Sequence, residues 1–388
     1  MSSSLKIIFS WTTITMTLLS CSQAGHQTIL PGAYQLEEYI PFLEGKKVGF
    51  YGNHTSLIES THTIDSLLAL QINITTVFSP EHGIKGNAAD GEIIELQAHN
   101  YDFELFSLYG KTKKPTTSQL ANVDILLVDI QDVGVRFYTY SATLTYLMDK
   151  CAIMGIPVMI LDRPNPNGSY VDGPVLDDCC HSIVGMHPIP VVYGMTLGEL
   201  AWMINDELWL ESKKKVELII IPIKKWTHNS RYSLPVRPSP NLPNDLSVAL
   251  YPSLALFEGS QVSLGRGTDS QFQIVGHPLI ADSAFHFTPM PNQGSKYPKL
   301  EGEKCFGESF TGNQPVYKFD ISIFIKYYTL LRSTLGDDFF KPYLSNLIGN
   351  SNFEEQLKQQ LPESDIRQSW EPQLTKFKIL RQKYLLYP

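Results

Sequence analysis

The sequence carries little charge of either sign. Charged residues make up 18% of the 388 residues, against ~25% in an average globular protein, while hydrophobic residues make up 43%. Disordered chains are rich in charge and poor in apolar residues, so this composition excludes long disordered stretches. The net charge is −8, and no lysine or arginine run is longer than three residues. Because nucleic-acid binding needs a basic face, we expect no nucleic-acid partner.

Cysteines are few, and several catalytic motifs are missing. The spacing of the five cysteines matches no zinc motif. There is no P-loop, no G-x-S-x-G elbow and no G-x-G-x-x-G turn after the first predicted strand. Apart from Cys21, the cysteines are Cys151, Cys179, Cys180 and Cys305. An exported protein could oxidise these four, and the sequence leaves their pairing open.

After the N-terminal region, no run of about 18 apolar residues occurs that could span a bilayer. The N-terminal region itself has Lys6 followed by an apolar stretch over residues 7–19, which is typical of a secretory signal. It ends in Leu18-Leu19-Ser20-Cys21, which is typical of a bacterial lipobox. We therefore expect residues 1–20 to be a signal peptide and Cys21 to be lipidated. The protein would be exported and held on a membrane surface facing the periplasm. The alternative is an ordinary signal peptide with an incidental cysteine.

Apolar strands alternate with helical patterns from about residue 30 to residue 230, which predicts an α/β fold with a parallel sheet. The run V-D-I-L-L-V-D-I at residues 123–130 is the most strand-like, and its continuous apolarity is expected of a sheet covered on both faces. A helix entered through Thr196 has Glu199 three residues later, a capping box. Five prolines between residues 235 and 252 indicate an extended connection. We place a domain boundary at residue 231, and residues 231–388 mix strands and helices.

Four polar loops follow predicted strands of the sheet: residues 53–55, 81–83, 131–134 and 163–168. The carboxyl ends of parallel strands lie at one edge, where open α/β sheets bind ligands. These loops should therefore line a common rim, which we take as the candidate site. The second loop belongs to S-P-E-H-G-I-K-G at residues 79–86, where Pro80 ends the strand. Alternatively, this polar loop caps a helix and has no part in a site.

Carboxylates on this rim suggest glycoside hydrolysis, which needs a carboxylic acid beside the leaving oxygen. Glu81 could be that acid or a general base, and His82 could position it. Asp132 is a second candidate carboxylate. A metal site built from Glu81, His82, Asp132 and Asp162 is a weaker alternative, because no pair has the spacing of one helix face.

The remaining rim residues suggest sugar binding, since sugars are held by polar groups and aromatic faces. Gln131, Arg136 and Tyr138 are candidates, although Arg136 could pair with Asp132 and Tyr138 could belong to the core. In D-R-P-N-P-N-G, Arg163 and Asn165 could contact substrate, or Asp162 and Arg163 could hold each other. Later in the chain, Arg266 lies between glycines and suits a carboxylate, unless it is part of a surface turn.

Eight motifs, in this order, resemble those of the bacterial exo-β-N-acetylmuramidase family, which was long catalogued as a domain of unknown function. They are S-P-E-H-G-I-K-G, D-I-Q-D-V-G-V-R-F-Y-T-Y, L-D-R-P-N-P-N-G, V-D-G-P-V-L, Y-G-M-T-L-G-E-L-A, S-P-N-L-P, L-F-E-G-S and G-R-G-T. The resemblance implies a Rossmann-like N-terminal domain, a smaller α+β C-terminal domain and a site in the cleft between them.

The resemblance also implies release of N-acetylmuramic acid from the non-reducing ends of peptidoglycan fragments, without a metal or organic cofactor. Glu81 matches the family's proposed catalytic glutamate. The lactyl carboxylate of muramic acid would give Arg136, Arg163 or Arg266 a partner. The partners would be muramyl saccharides and, through the predicted anchor, a membrane surface.

Further candidates for substrate contact lie in the rim loops and matching motifs: Asn53, Tyr193, Asn241 and Glu258. The chain departs from the family at Tyr193, where histidine is usual, and Ser260 replaces a threonine. The change at Tyr193 leaves room for a non-catalytic murein-binding protein. A metal-dependent hydrolase is a third possibility.

Overall fold

The computed structural model describes residues 28–81, 83–85, 102–110, 113–280 and 283–388. The predicted signal peptide, Cys21 and His82 lie outside these ranges. The strands are β1 (Lys47–Gly52), β2 (Leu57–Ile58), β3 (Thr61–His62), β4 (Asn73–Ser79), β5 (Glu104–Ser107), β6 (Ile125–Asp129), β7 (Val158–Leu161), β8 (Asp172–Val175), β9 (Pro190–Val192), β10 (Leu218–Ile221), β11 (Ile274–His277), β12 (Phe285–Phe287) and β13 (Cys305–Ser309).

The helices cover the sheet and build most of the C-terminal half. They are α1 (Leu36–Leu43), α2 (Thr63–Ala69), α3 (Tyr140–Met154), α4 (Leu197–Asp206), α5 (Asp245–Leu254), α6 (Ser322–Leu335), α7 (Tyr343–Ile348), α8 (Phe353–Lys358) and α9 (Glu363–Arg381). Within the described ranges, no helix is both long enough and apolar enough to cross a bilayer.

Six parallel strands form the main sheet, in the order β10-β7-β6-β1-β4-β5. The chain builds outward from β1 through β4 to β5, then returns to β6 beside β1 and builds the other way. This is the Rossmann strand order, and it opens a crevice between β1 and β6 at their carboxyl ends. The predicted parallel α/β sheet and Rossmann-like domain are confirmed.

Strand β6 shows why the sheet is buried on both sides. Leu126 and Val128 belong to one hydrophobic cluster, while Ile125 and Leu127 belong to another. Successive side chains of a strand point to opposite faces, so a continuous apolar run fills both. The first cluster extends into the C-terminal domain, as far as Phe324 and Trp370, so the two domains share one core.

Local signals set several element ends. Strand β4 stops at Ser79, before Pro80, and Gly155 ends α3 in the left-handed conformation with φ 71°. The capping box of Thr196 and Glu199 starts α4. Helix α2 begins at Thr63, because residues 57–62 form the β2–β3 hairpin.

The predicted extended connection is wrong at its end, because Pro252 lies inside α5. Proline has no N–H for the carbonyl four residues back, which here is that of Val248. Asn167 Nδ2 donates to this carbonyl at 3.3 Å, and to the Val133 carbonyl at 2.8 Å. A side chain from a rim loop thus replaces the missing helical bond and fixes α5 against the sheet domain.

The C-terminal domain combines the antiparallel sheet β11-β13-β12 with α6–α9, so the predicted smaller α+β domain is confirmed. Arg136, which is 3% exposed, links the two domains. Its Nη1 donates to the carbonyls of Pro174 and Ile189 at 2.9 and 2.8 Å. Its Nη2 donates to the carbonyls of Leu347 and Ile348 at 3.0 and 2.7 Å.

Arg136 was expected to pair with Asp132 or to contact substrate, and both expectations are wrong, because its hydrogen bonds go to carbonyls and it does not line the cleft between the domains. The last carbonyls of a helix lack intrahelical donors, and α7 ends at Ile348. A cation there also favours the negative end of the helix dipole. Burial lowers the pKa of Arg136 to about 9, which leaves the guanidinium charged at neutral pH.

Replacing Arg136 with methionine should destabilise the protein strongly. The free energy of unfolding should fall by about 3 kcal/mol or more, because buried carbonyls would lose their donors. Chemical denaturation at pH 7 measures this change. The matched control is Arg237→Met, since Arg237 is exposed. A loss no larger than in the control would refute the role given to Arg136.

Candidate active site

A cleft of about 370 Å³ lies where the carboxyl edge of the main sheet meets the C-terminal domain. The sheet domain contributes Glu81 after β4 and residues 137–140 at the start of α3. The rest of the lining includes Ser239, Asn241, Leu242, Tyr251 of α5, Glu258, Arg266, Phe272 and Tyr343 of α7. The volume suits a small ligand. Five of the predicted site residues line this cleft: Glu81, Tyr138, Asn241, Glu258 and Arg266.

Glu81 is half-buried in the wall formed by the sheet domain. Gly83, with φ 70°, lets the chain turn two residues after Glu81. The Oγ1 of Thr139 donates to Oε2 of Glu81 at 3.2 Å. Thr139 directly precedes α3, so this carboxylate lies near the positive end of a helix dipole.

Glu258 and Arg266 form an ion pair in the opposite wall, with Nε of Arg266 donating to Oε1 of Glu258. The guanidinium carbon of Arg266 lies 5.2 Å from the ring centroid of Phe272. Gly265 and Gly267 flank the arginine with φ 84° and 79°, conformations that favour glycine. Arg266 therefore belongs to the cleft wall and is not a simple surface turn.

Tyr251 lies between these two walls and was missed by the sequence analysis. Burial raises the pKa of its phenol well above 10, and Arg266, Glu81 and Glu258 all act on it electrostatically. The phenol therefore stays protonated and can donate a hydrogen bond. Its ring packs edge-on against Phe137 and Phe272, at centroid distances of 5.3 and 5.0 Å. Only the helical register of α5, hidden by its proline, could have indicated it.

Two further phenols anchor Pro238, the residue before the S-P-N-L-P segment, to the sheet domain. The hydroxyls of Tyr138 and Tyr140 both donate to the Pro238 carbonyl, at 2.8 and 3.2 Å. Asn53 is fully buried beneath them, and its Nδ2 donates to the Tyr140 hydroxyl at 2.9 Å. Asn53 thus supports the cleft from below and does not line it. The Tyr138 side chain lines the cleft and is also packed in the core.

Asn241 brings an amide to the cleft and is 3% exposed. Its Nδ2 donates to the Gly294 carbonyl at 2.9 Å. Its Oδ1 is buried and accepts no hydrogen bond from the described part of the chain. Because an unpaired buried acceptor is costly, a donor on a bound molecule would be stabilised here.

Three predicted rim residues hold loops in place and do not line the cleft. Nε2 of Gln131 donates to the carbonyls of Asp132 and Pro164, each at 2.8 Å. Nδ2 of Asn165 donates to the Met195 carbonyl at 2.8 Å. Both side chains are buried, so their amides satisfy backbone groups that water cannot reach.

Arg163 is the third, and its expected partner is wrong. Its guanidinium pairs with Asp129, with Nε–Oδ1 and Nη2–Oδ2 distances of 2.6 and 3.0 Å. Asp162 instead accepts hydrogen bonds from the hydroxyls of Thr196 and Tyr387, each at 2.6 Å. Arg163 is buried, and it joins the ends of two neighbouring strands of the sheet.

Asp132 and Tyr193 form a buried pair behind the cleft. Oδ1 of Asp132 accepts hydrogen bonds from the Tyr193 hydroxyl at 2.7 Å and from the Gly134 amide at 2.6 Å. Its Oδ2 has no partner in the described part of the chain. Burial raises the pKa of Asp132 to about 6. Tyr193, where the chain departs from the family pattern, therefore contacts Asp132 and does not line the cleft.

Among the described residues, no three His, Cys, Asp or Glu side chains group as metal ligands would. Cys151, Cys179, Cys180 and Cys305 are free thiols.

Comparison with known proteins decides the family. Residues 48–246 match the model of the N-terminal domain of the exo-β-N-acetylmuramidase NamZ, and residues 249–387 match that of its C-terminal domain. The chain belongs to this exo-β-N-acetylmuramidase family. The predicted division at residue 231 stays a prediction.

Individual relatives of this family are similar over most of their length. The peptidoglycan β-N-acetylmuramidase NamZ of Bacillus subtilis (strain 168) is 34% identical, with 94% of this chain and 91% of that protein covered. A DUF1343 family protein from Bacteroides fragilis NCTC 9343 is 40% identical with a TM-score of 0.85. A second protein of that family and organism is 27% identical with a TM-score of 0.78. Both structural matches cover 93% of this chain and 99% of the other.

The raised pKa of Asp132 makes stability depend on pH. Its folded pKa of about 6 exceeds the ordinary 3.8, so its contribution is complete below pH 4 and is lost as the pH rises through 6. Asp132→Asn removes this charge and keeps Oδ1. Relative to wild type, the variant should gain roughly 2–3 kcal/mol of unfolding free energy between pH 4 and pH 7.

Denaturation curves at several pH values, with exposed Asp338→Asn as control, test this prediction. The difference between Asp132→Asn and wild type isolates Asp132, because Asp162, whose pKa burial also raises to about 6, is present in both. A difference that does not change with pH would contradict it.

Proposed function

We propose that the protein is an exo-acting glycoside hydrolase that releases N-acetylmuramic acid from the non-reducing ends of peptidoglycan fragments, with Glu81 as general acid. The observation that carries this proposal is the position of Glu81, half-buried in the cleft of a chain that belongs to the exo-β-N-acetylmuramidase family. The activity of the Bacillus subtilis relative supports the reaction class.

The cleft walls suit cleavage of a glycosidic bond. The transition state resembles an oxocarbenium ion, and an acid must protonate the leaving oxygen. Thr139 orients the Glu81 carboxyl, while Glu258 places a second carboxylate on the facing wall. Retaining and inverting glycosidases both use two carboxyl groups that flank the bond. Glu258 replaces Asp132 as our candidate for the second carboxylate, because Asp132 lies behind the cleft.

The same walls suit an acidic, acetylated sugar. Arg266 is a cleft cation that would pair with the lactyl carboxylate of muramic acid. Oδ1 of Asn241 would accept a hydrogen bond from a sugar amide or hydroxyl. Arg136 and Arg163, the other two arginines considered for the carboxylate, do not line the cleft.

The alternatives have less support. A non-catalytic binding protein was suggested by Tyr193, but this side chain is fully buried against Asp132. Of the four residues considered for a metal site, Asp162 is buried with partners of its own and Asp132 is turned toward Tyr193.

Export and anchoring through Cys21, at a membrane facing the periplasm, remain part of the proposal. The sequence motif at residues 18–21 supports them.

Changing Glu81 to glutamine should lower kcat on the disaccharide of N-acetylmuramic acid linked to N-acetylglucosamine by about 100-fold or more, because the amide cannot donate the proton that a sugar leaving group needs. On a chromogenic β-glycoside of N-acetylmuramic acid, whose leaving group departs without that proton, the loss should be smaller. The matched control is Glu301→Gln, since Glu301 is exposed. Circular dichroism checks that both variants fold. Near wild-type kcat on the disaccharide in folded Glu81→Gln would rule Glu81 out as the acid.

Changing Arg266 to methionine should lower kcat/KM on the N-acetylmuramic acid glycoside by about 10-fold to 100-fold, the value of a lost charged hydrogen bond. The matching N-acetylglucosamine glycoside lacks the lactyl carboxylate. Its kcat/KM should be lower in the wild type and should fall less when Arg266 is replaced. Arg266→Lys keeps the charge and should retain part of the preference. Equal losses on both substrates would mean that Arg266 acts only through Glu258.

A further inference from the structure

A second depression lies beside the cleft, and we call it the lateral groove. It measures about 410 Å³, and its lining includes Lys114, Tyr146, Asp149, Ser182, Trp209 and Glu211. None of these residues lines the cleft. The family comparison and the proposed reaction give them no role.

Three chain segments run from the cleft into the lateral groove. Lys113 lines the cleft and Lys114 the groove. Val184 lines the cleft and Ser182 the groove, within one tight turn closed by the Ser182–Gly185 backbone bonds. The first residue of α3 lines the cleft, and Tyr146 of the same helix lines the groove. A helical rise of 1.5 Å per residue separates those two positions by about 9 Å along the helix.

The groove has a rigid aromatic surface. Trp209 is half-exposed, and its ring stacks on His187 at a centroid distance of 5.6 Å and an interplanar angle of 20°. His187 is itself fixed, with its Nε2 2.9 Å from the Thr145 hydroxyl. Burial lowers the pKa of His187 to about 3, so the imidazole is neutral. An aromatic ring held in this way loses little freedom when a ligand packs on it.

Polar groups surround this aromatic surface. Lys114 pairs with Glu211, and its Nζ lies 5.4 Å from the ring centroid of Tyr146. Oδ1 of Asp149 accepts the Ser212 amide at 2.8 Å, which ties α3 to the segment that carries Trp209. Aromatic faces next to hydrogen-bonding side chains match a pyranose ring, which has apolar C–H faces and polar edges.

We infer that the lateral groove is an extended binding site for the glycan chain on the reducing-end side of the scissile bond. The cleft would hold the terminal sugar, and the following amino sugars would pass between residues 113–114 and 181–184 onto Trp209 and Tyr146. This inference rests on the proposed function, since it assigns the direction of the chain.

The experiment compares kcat/KM on two kinds of substrate. The first is the chromogenic N-acetylmuramic acid glycoside, which fills only the cleft. The second is a series of peptide-free glycan chains of increasing length that carry N-acetylmuramic acid at the non-reducing end. Wild-type kcat/KM should rise with chain length. Trp209→Leu should lose about tenfold on the long chains, a typical effect of a lost aromatic contact, and should keep its activity on the chromogenic glycoside.

Tyr146→Leu should show the same pattern if Trp209→Leu fails to fold. The matched control is Trp202→Leu, because Trp202 is also half-exposed but packs on Tyr384, outside the groove. A second series of chains that carry stem peptides tests whether a peptide, and not the glycan, binds in the lateral groove.

The outcomes separate the two proposals. If wild-type kcat/KM does not depend on chain length, or if Trp209→Leu and Tyr146→Leu lose equally on both substrates, the groove assignment is wrong and the proposed function stands. If kcat/KM rises with chain length only when the chains carry stem peptides, the glycan assignment is also wrong. If neither substrate is hydrolysed by the wild type, the proposed function fails and this inference fails with it.

Discussion

The structure depends on the buried guanidinium of Arg136. Arg136 is held by four carbonyl groups from both domains, two of them at the end of α7. Moving a charge out of water is unfavourable, and several short hydrogen bonds and a helix dipole offset that cost. The next four residues of the chain, 137–140, line the cleft, as does Tyr343 of α7. The interaction that joins the domains therefore also fixes the distance between the cleft walls.

The sequence predicted the sheet well because its signals are local. The apolar run of β6 and the capping box of α4 depend on neighbours along the chain, and both are confirmed. The extended connection was predicted wrongly at Pro252 because the helix depends on a residue far away in the sequence. Asn167 donates a hydrogen bond to the carbonyl that a helical proline leaves without a donor. No local pattern predicts such a bond.

The sequence indicated where the cleft lies, but only some of the predicted residues line it. Gln131, Arg163 and Asn165 are polar because a loop buried between two domains must satisfy its own backbone and charges. A sequence cannot distinguish this need from substrate binding, because the difference lies in the direction of the side chain. Tyr251 shows the reverse case, where a residue of α5 in an apolar setting reaches the cleft once the second domain packs.

In the proposed complex, Glu81 and Arg266 contact the bound terminal sugar from two sides of the cleft. A crystal structure of Glu81→Gln with an uncleaved disaccharide, N-acetylmuramic acid linked to N-acetylglucosamine, tests it most directly. We expect the side chain at residue 81 to lie within about 3 Å of the glycosidic oxygen and the lactyl carboxylate to bind Arg266. A disaccharide bound with its glycosidic oxygen out of reach of residue 81 would contradict it.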